Sequence, residues 1–302
     1  MTVPLRRLTL ALVLCGLASP SLNAADAAKP VRVLASLPIT YGLGEVLLKG
    51  TDVKLERAAP ANLPGSRQTA YFSTRGGPAL AGLANEADAV IGLRSLWADD
   101  PLYPMARRSN IRIVEVDAAR PVDGALPGIA VQPGLKVDGL NSQPWLASNN
   151  MGRMADVMAA DLVRLAPSAK AKIDANLATL KQRLLKLSAD SEARLASVDN
   201  LSVMSLSDHF GYLVSGLNLE LTGSDVRPDA EWTPEALKQL SAELKANDVA
   251  LVLHHRQPSE ALKAAIAESG SRLLVLSTDA VDPVAELEGN VELVIKGLSG
   301  AS

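Results

Sequence analysis

The first half of the chain alternates short β-branched runs with amphipathic helical patterns. The run "VRVLASLPIT" opens this half as a buried strand that is closed by proline. The following elements are predicted in order: a helix near Tyr41–Leu48, a strand at Val53–Arg57, a helix at Pro78–Ala87, a strand at Ala89–Leu93, a helix at Pro101–Ser109 and a strand at Ile111–Asp117. Strands that alternate with helices at this spacing predict a parallel sheet with helices on its faces.

One stretch of this half carries neither pattern. Residues 58–79, "AAPANLPGSRQTAYFSTRGGPA", are rich in proline, glycine and polar side chains. This composition predicts a long loop, and a loop of that length inside a compact domain is usually functional.

The second half repeats the alternation of strands and helices. Its predicted strands are "LSVMSLS", "LELTG", "VALVLHH" and "RLLVLSTD", and its predicted helices are "FGYLVSGL", "TPEALKQLSAELKAN", "PSEALKAAIAESG" and "EGNVELVIKGL". The second of these helices begins with Thr233 as its N-cap and Pro234 in its first turn. The chain therefore contains two α/β halves of similar size.

A long helical segment connects the two halves. From Asn150 to about Leu195 helix-forming residues dominate, and Pro167 permits a kink or a new first turn. An apolar stripe recurs at spacings of three and four residues, and its first members are Met151, Met154, Met158, Leu162 and Leu165. This spacing favours core packing of the methionines over a soft metal site.

These patterns predict an α/β protein of two lobes, each a mainly parallel sheet flanked by helices. A long spine helix joins the lobes, with a cleft between them. The predicted divisions are a signal peptide at 1–24, an N-terminal lobe at 25–148, the connecting helix at 149–196 and a C-terminal lobe at 197–302. A continuous spine helix favours small tilts of the lobes over a wide hinge.

The first 24 residues have the pattern of a cleavable export signal. Two arginines precede an apolar stretch from Leu8 to Leu17, and small residues lead to Ala24. The stretch is too short to span a bilayer, which takes roughly 20 apolar residues. Cleavage there removes Cys15, the single cysteine, and with it thiolate metal sites and disulfides. We therefore expect an exported, periplasmic protein.

The charge of the chain argues against nucleic acid as a partner. The formal net charge is −3, and loss of the two leader arginines makes it −5; no basic stripe with interleaved aromatic residues occurs. Enzymatic motifs are also missing: there is no G-x-S-x-G elbow, H-E-x-x-H, Walker loop or glycine-rich dinucleotide turn. The adjacent residues of "SDH" cannot form a catalytic triad, whose members converge from separate elements.

Four segments give the chain a resemblance to a known family. They are "LANEADAVIGL", "PWLASNNMGRMADVMAADLVRLAP", "SDHFGYLVSGLNLEL" and "EWTPEALKQLSAELKANDVALVLHHRQPSEALKAAIAESGSRLLVLSTDAVDP". In order and spacing they resemble the solute-binding receptors of zinc and manganese ABC transporters, over nearly the whole exported chain. The resemblance implies a monomer that captures a divalent metal ion, zinc or manganese, in the cleft and releases it to an inner-membrane permease.

The family's metal ligands are largely replaced in this sequence. The resemblance places the first histidine within Gln68–Phe72, the second at Gln143 and the third at Ser207, so none of the three is histidine here. The last carboxylate has a counterpart, Asp279. Amides and hydroxyls replace imidazole poorly in a zinc site. They suit a harder ion or a polar organic ligand held by hydrogen bonds.

Nearby residues could rebuild a metal site from the second lobe. Asp208 and His209 flank the lost position, and His254 and His255 end the strand "VALVLHH". His209, one of the two adjacent histidines and Asp279 form the predicted set. Each has another interpretation: His209 as a hydrogen-bonded strand-end residue, Asp208 as a helix N-cap and Asp279 as a turn residue. Because strand residues alternate faces, at most one of the adjacent histidines faces the cleft.

Polar and aromatic residues of the first lobe are the candidates for lining the cleft. Gln68, with Gln143 and Ser207, could bind a polar ligand. Arg67 is either solvated or favours an anionic ligand, and Trp97 in "RSLWADDP" is either a wall of the cleft or a packed aromatic residue. Three functions remain open: a receptor for a divalent metal or metal complex, a receptor for a small polar organic ligand, and an accessory protein of metal homeostasis that binds a partner and no metal.

Overall fold

Two four-stranded parallel sheets form the frame of the protein. The computed structural model describes residues 29–122, 124, 126–134, 139–141 and 143–300, so the predicted export signal lies outside the described residues. Both sheets have the same strand order, β2-β1-β3-β4 in the first lobe and β6-β5-β7-β8 in the second. The predicted α/β class with two parallel-sheet lobes is therefore confirmed.

The first lobe contains four strands and four helices. They are β1 (Arg32–Ala35), α1 (Pro38–Leu48), β2 (Lys54–Arg57), α2 (Gly65–Ser73), α3 (Gly77–Glu86), β3 (Ala89–Gly92), α4 (Leu102–Ser109) and β4 (Val114–Asp117). The prediction of a long loop over residues 58–79 was wrong for its middle, which is the helix α2. Gln68 and Phe72 are the buried residues of α2. They lie one turn apart, and this tertiary burial outweighs the polar composition of the segment.

The second lobe repeats this architecture. Its elements are β5 (Ser202–Ser205), α7 (Gly211–Gly216), β6 (Glu220–Ser224), α8 (Pro234–Ala246), β7 (Leu251–His254), α9 (Glu260–Ser269), β8 (Arg272–Val275) and α10 (Pro283–Ser299). Thr233 caps α8 as predicted, because its hydroxyl accepts a hydrogen bond from the Ala236 amide at 3.3 Å. The last helix begins earlier than predicted, at Pro283, where the Asp282 carboxylate caps it through the amides of Val284 and Ala285.

The connecting segment is a helical hairpin. α5 (Ser148–Leu165) and α6 (Lys170–Leu195) are separated by a 3₁₀ turn at Pro167–Ala169. The long helix between the lobes is confirmed as α6, but one continuous spine over 149–196 was wrong. Pro167 disfavours helical backbone at Ala166, whose φ and ψ are −131° and 74°, and the chain reverses there.

Side-chain contacts place α5 and α6 antiparallel. Lys181 pairs with Asp156 at 2.8 Å, and a Cβ on Gly152 would lie 3.7 Å from Leu184. The methionines of α5 are buried in the core, which agrees with the packing interpretation. α6 contacts both lobes: Asn176 donates to the carbonyl groups of Leu47 and Lys49 at the end of α1.

Ion pairs hold the other half of α6 against the second lobe. Arg183 pairs with Glu288, and Arg194 pairs with Glu292, both on α10. A single apolar cluster runs through the facing sides of both sheets and the hairpin. The two lobes therefore share one hydrophobic core and are not connected only by a flexible linker.

The lobes also touch each other directly. A Cβ built on Gly42 in α1 would lie 2.3 Å from Pro283 Cδ and 2.8 Å from the carbonyl oxygen of Val281. Only glycine allows α1 to approach the start of α10 so closely. No helix in the described part of the chain is long and apolar enough to cross a membrane.

Candidate functional site

The strand order fixes where each lobe can bind a ligand. In a parallel sheet of order 2-1-3-4, the connections leave the two central strands in opposite directions, which opens a crevice at their carboxyl ends. These ends belong to β1 and β3 in the first lobe and to β5 and β7 in the second. The chain places Ser36 and Leu37 after β1, Trp97 after β3, His209 after β5 and His255 after β7.

All three histidines of the sequence meet at the crevice of the second lobe. The ring centroids of His209 and His255 are 4.4 Å apart, and those of His254 and His255 are 5.2 Å apart. His254 is 2 % exposed, whereas His255 and His209 are partly exposed. Strand alternation thus turns one of the adjacent imidazoles toward His209 and the other inward.

Hydrogen bonds define which nitrogen atoms of this cluster are engaged. His255 Nδ1 lies 2.8 Å from the hydroxyl of Ser207, a buried residue. The backbone amide of His255 donates to Nδ1 of His254 at 2.9 Å. A neutral His254 then carries its proton on Nε2 and has no free lone pair. His254 is therefore a structural residue in this arrangement, and His255 is the one with a nitrogen left for a ligand.

The Asp208–His209 pair lies at the end of the cluster. Asp208 is exposed, and its Oδ1 is 3.4 Å from His209 Nε2. Nδ1 of His209 is buried and has no hydrogen-bond partner among the described residues. Asp208 does not cap the following helix, because α7 has Phe210 at its N-cap position and no side-chain cap. The N-cap interpretation of Asp208 was wrong.

Burial keeps the imidazoles neutral at neutral pH. Desolvation is the main cause that lowers the pKa of His209, and the charges of Asp208 and Asp279 oppose it. Burial and the neighbouring histidines lower the pKa of His255 to about 4. Burial and Arg256 also lower the pKa of His254. Neutral imidazole is the form that coordinates a metal ion.

Buried amides and an indole of the first lobe make up what we call the first-lobe wall. Gln68 is 0 % exposed and donates through Nε2 to the carbonyl oxygen of Ser36 at 3.0 Å. Oε1 of Gln68, the hydroxyl of Ser36, Nε1 of Trp97 and Oε1 of Gln143 are all buried without a hydrogen-bond partner in the part of the chain that the structure describes. Arg67 precedes Gln68 on α2, but its side chain is exposed. Unsatisfied buried polar atoms are rare in proteins and indicate a place for water or a ligand.

Asp279 lies on a loop that faces this wall. A narrow inner chamber of about 10 Å³ lies between the lobes, lined by Leu37, Trp97, Trp145, Thr278, Asp279 and Glu286. Asp279 is exposed, and its charge acts on the pKa of His209. The rings of Trp97 and Trp145 meet edge to face at 5.7 Å. The inner chamber has room for about one water molecule or ion.

Helix α10 holds the loop that carries Asp279. The buried carboxylate of Glu286 accepts hydrogen bonds from the hydroxyl of Ser277 and, at 2.8 Å, from the amide of Ala280. Asn290, one turn later, donates to the Ser277 carbonyl at 2.7 Å and accepts from its amide at 3.2 Å. Burial raises the pKa of Glu286, and the charge of Asp279 raises it further.

Ser36, Trp145, Glu286 and Asn290 belong to the site but were missed in the sequence. Two signals could have found Ser36, Glu286 and Asn290. Ser36 directly follows a central strand, where the crevice must lie. Asp282 and Pro283 mark a helix start, which would have placed Glu286 and Asn290 together on the buried face of that helix.

The donor atoms are near one another but do not form a closed metal cage. Among the described residues, no three side chains of His, Cys, Asp or Glu are arranged to hold one ion. His209 and His255 lie beside each other, and the charge of Asp279 acts on the pKa of His209. The arrangement offers two neutral imidazoles and a carboxylate on one wall, and unsatisfied amide and indole groups on the other.

Comparisons with solved structures agree with this architecture. An FpvC mutant from Pseudomonas aeruginosa is similar at a TM-score of 0.73 and 20 % identity, over 90 % of this chain and 100 % of that chain. ZnuA is similar at 0.66 and 20 %, over 89 % and 99 %. Zn(II)-bound AdcA from Streptococcus pneumoniae is similar at 0.68 and 15 %, over 89 % of this chain and 58 % of that one. At these identities the likeness concerns the fold. No curated protein matches the sequence.

The family model for ZnuA, described as the periplasmic component A of a zinc-uptake complex, matches residues 81–293. This range covers the second half of the first lobe, the helical hairpin and nearly all of the second lobe. The chain therefore belongs to the ZnuA family and has the fold of the solute-binding components of metal ABC transporters.

Proposed function

We propose that this protein captures a divalent metal ion, zinc or manganese, in the cleft between its lobes and delivers it to an ABC permease in the inner membrane. The protein is a binding component without catalytic activity in this proposal, and it works as a monomer in the periplasm. The observation that carries the proposal is the pairing of His209 and His255, whose ring centroids are 4.4 Å apart, with the charge of Asp279 acting on His209. These two imidazoles follow the two central strands of the second lobe, where the strand order creates a crevice.

His209, His255 and Asp279 are the ligands in this proposal. With a proton on Nδ1 that is donated to Ser207, His255 keeps the lone pair of Nε2 for the ion. Two imidazoles and one carboxylate are suitable ligands for zinc and manganese. His254 orients the backbone of His255 and does not coordinate.

The experiment uses the exported chain stripped of metal. Its melting temperature is followed as zinc, manganese, iron, copper and nickel are added singly. An ion at 100 times its dissociation constant stabilises the folded state by about 2.7 kcal/mol. We expect His209→Ala and His255→Ala to abolish this stabilisation, whereas Gln143→Ala, which removes no donor of the set, retains it. If none of the five ions stabilises the protein at millimolar concentration, the proposal is wrong.

A second candidate is a receptor for a small polar organic ligand. The unsatisfied oxygen atoms of Gln68 and Gln143 and the unsatisfied indole nitrogen of Trp97 favour it, since such groups bind through neutral hydrogen bonds. A protein that has lost direct metal binding and serves as an accessory partner fits the lack of a closed cage in the described residues. Both alternatives predict no stabilisation by any metal ion added alone.

A further inference from the structure

A much larger space lies directly beside the inner chamber. An outer chamber of about 930 Å³ lies between α2, the loop after β3 and α4. Leu37, Gly65 and Trp97 line both chambers, so these residues form the wall that the two spaces share. A volume of roughly 300–1,000 Å³ is typical of pockets for organic ligands. A bare ion needs only the inner chamber.

The outer chamber combines apolar walls with charged groups of both signs. The apolar side chains of Leu96, Trp97 and Met105 line it, and Arg108 lines it from α4. Asp99 and Asp100 line it too, and the Asp100 carboxylate accepts hydrogen bonds from the amides of Leu93 and Leu102 at 2.8 and 3.1 Å. The Arg108 side chain is exposed and forms no hydrogen bond or ion pair with any residue that the structure describes. A guanidinium without a partner can take a carboxylate through two parallel hydrogen bonds.

The protein supplies fewer donors than a divalent ion needs. Zinc takes about four ligands, whereas the described residues contain no group of three that is arranged for one ion. A chelating molecule brings its own donors and leaves only one or two positions for the protein. Asp279 in the inner chamber and the adjacent His209 can fill those positions.

We propose that the cargo is a divalent metal chelate of a flat, carboxylate-bearing organic molecule. Its cation lies beside Asp279 in the inner chamber, and its organic part fills the outer chamber between Trp97 and Arg108. This inference rests on the proposed function, since it names the form in which the metal is bound. It assigns Ser66 and Thr69 of α2 to the wall that contacts the organic part.

The test compares three probes by isothermal titration calorimetry on the metal-free exported chain. They are zinc chloride alone, the 1:1 complex of zinc with pyridine-2,6-dicarboxylate, and metal-free pyridine-2,6-dicarboxylate. We expect the complex to bind at least tenfold more tightly than zinc alone and the metal-free acid to bind weakly. Tighter binding of zinc alone, or equal binding of the metal-free acid and the complex, would overturn the inference.

Two variants assign the outer chamber. Ser66→Trp should fill it and weaken binding of the complex at least tenfold without changing the affinity for zinc alone. Ser73→Trp, an exposed serine two turns further along α2 and outside the chamber, is the matched control. Arg108→Gln should weaken binding of the complex about threefold to tenfold. Arg107→Gln, whose guanidinium instead binds the Tyr103 hydroxyl at 2.8 Å, should not.

The results separate this inference from the proposed function. If neither zinc nor its complex binds, the proposed function fails. If zinc alone binds as tightly as the complex and Ser66→Trp changes neither, only the chelate inference fails.

Discussion

The two lobes present different chemistry to the cleft although their sheets have the same strand order. At the carboxyl ends of β1 and β3, the first lobe offers buried amide, hydroxyl and indole groups. At the ends of β5 and β7, the second lobe offers two neighbouring imidazoles, with Asp279 on the loop after β8. The repeated topology creates two equivalent positions, and the side chains at those positions decide which kind of ligand each wall suits.

The two walls also differ in how many neighbouring side chains hold their polar groups in place. The second-lobe wall is held by Ser207 behind His255 and by Glu286 and Asn290 behind the Asp279 loop. On the first-lobe wall, Gln68 donates a hydrogen bond to the carbonyl oxygen of Ser36, and its Oε1 has no partner among the described residues. Ligands that coordinate a metal need fixed orientation, and the second lobe provides it.

The largest expected effect on stability comes from forcing the two lobes apart at the contact between α1 and the start of α10. Gly42→Ala places a methyl group against Pro283 and the carbonyl of Val281. Overpacking of this kind costs typically 1–3 kcal/mol, so we expect the free energy of unfolding to fall by about 2–3 kcal/mol in chemical denaturation. Gly289→Ala on α10, where a Cβ meets nothing within 4 Å, is the control and should stabilise slightly. Equal effects of both changes would contradict a close contact between α1 and α10.

A smaller effect follows from removing the support of the Asp279 loop. Glu286→Ala leaves the Ser277 hydroxyl and the Ala280 amide without their acceptor, which should cost about 2 kcal/mol of stability. It should also weaken zinc binding, measured by titration calorimetry. The control Glu288→Ala, on the same helix as Glu286, removes an ion pair with Arg183 of α6. It should cost about 1 kcal/mol or less. Unchanged zinc affinity in Glu286→Ala would refute a positioning role for Glu286.

Adding an imidazole to the first-lobe wall tests directly whether its side chains set the difference in zinc affinity between the two walls. Gln143→His replaces a buried amide whose Oε1 has no partner in the described structure by a stronger zinc ligand. We expect zinc to bind at least tenfold more tightly, which corresponds to about 1.4 kcal/mol. Arg67→His places the same imidazole on the exposed side of α2 and should leave the affinity unchanged. A gain in both variants would indicate nonspecific binding to any added histidine.

The smallest effect is a pH dependence that only the second lobe contributes. The folded-state pKa of His255 is about 4, below the 6.5 of an ordinary histidine, so the unfolded chain binds the proton more readily. Its contribution to stability is complete above about pH 6.5 and is lost as the pH falls toward 4. A pKa difference of this size corresponds to about 3 kcal/mol for a fully buried ring, but solvent screens the partly exposed ring of His255. We therefore expect His255→Gln to flatten the decline of the free energy of unfolding over this range by about 1 kcal/mol. Carboxylates with raised pKa values act equally in both proteins, so they cancel in the difference. Identical slopes would contradict a buried, neutral His255.

The sequence predicted the two lobes because their evidence is local. Apolar runs such as that of β3 and helix caps such as Thr233 are decided by residues a few positions apart. The helix α2 and the reversal at Pro167 were missed because each depends on a partner elsewhere. Gln68 and Phe72 are buried by the lobe, and α5 and α6 pack against each other through Asp156 and Lys181.

For the candidate site, the sequence determined the donors and the tertiary structure decided their arrangement. The sequence pointed to His209 and to one of the pair His254 and His255, because residues after parallel strands collect at one edge of the sheet. It pointed to Asp279 through the family resemblance. Only the structure showed that Nδ1 of His254 accepts a hydrogen bond from the backbone amide of His255. It also showed that Glu286 and Asn290 hold the loop of Asp279. The physical reason is the distance along the chain over which each property is decided. The chemistry of a side chain depends on that residue alone, whereas its hydrogen-bond partners come from distant segments that only folding brings together.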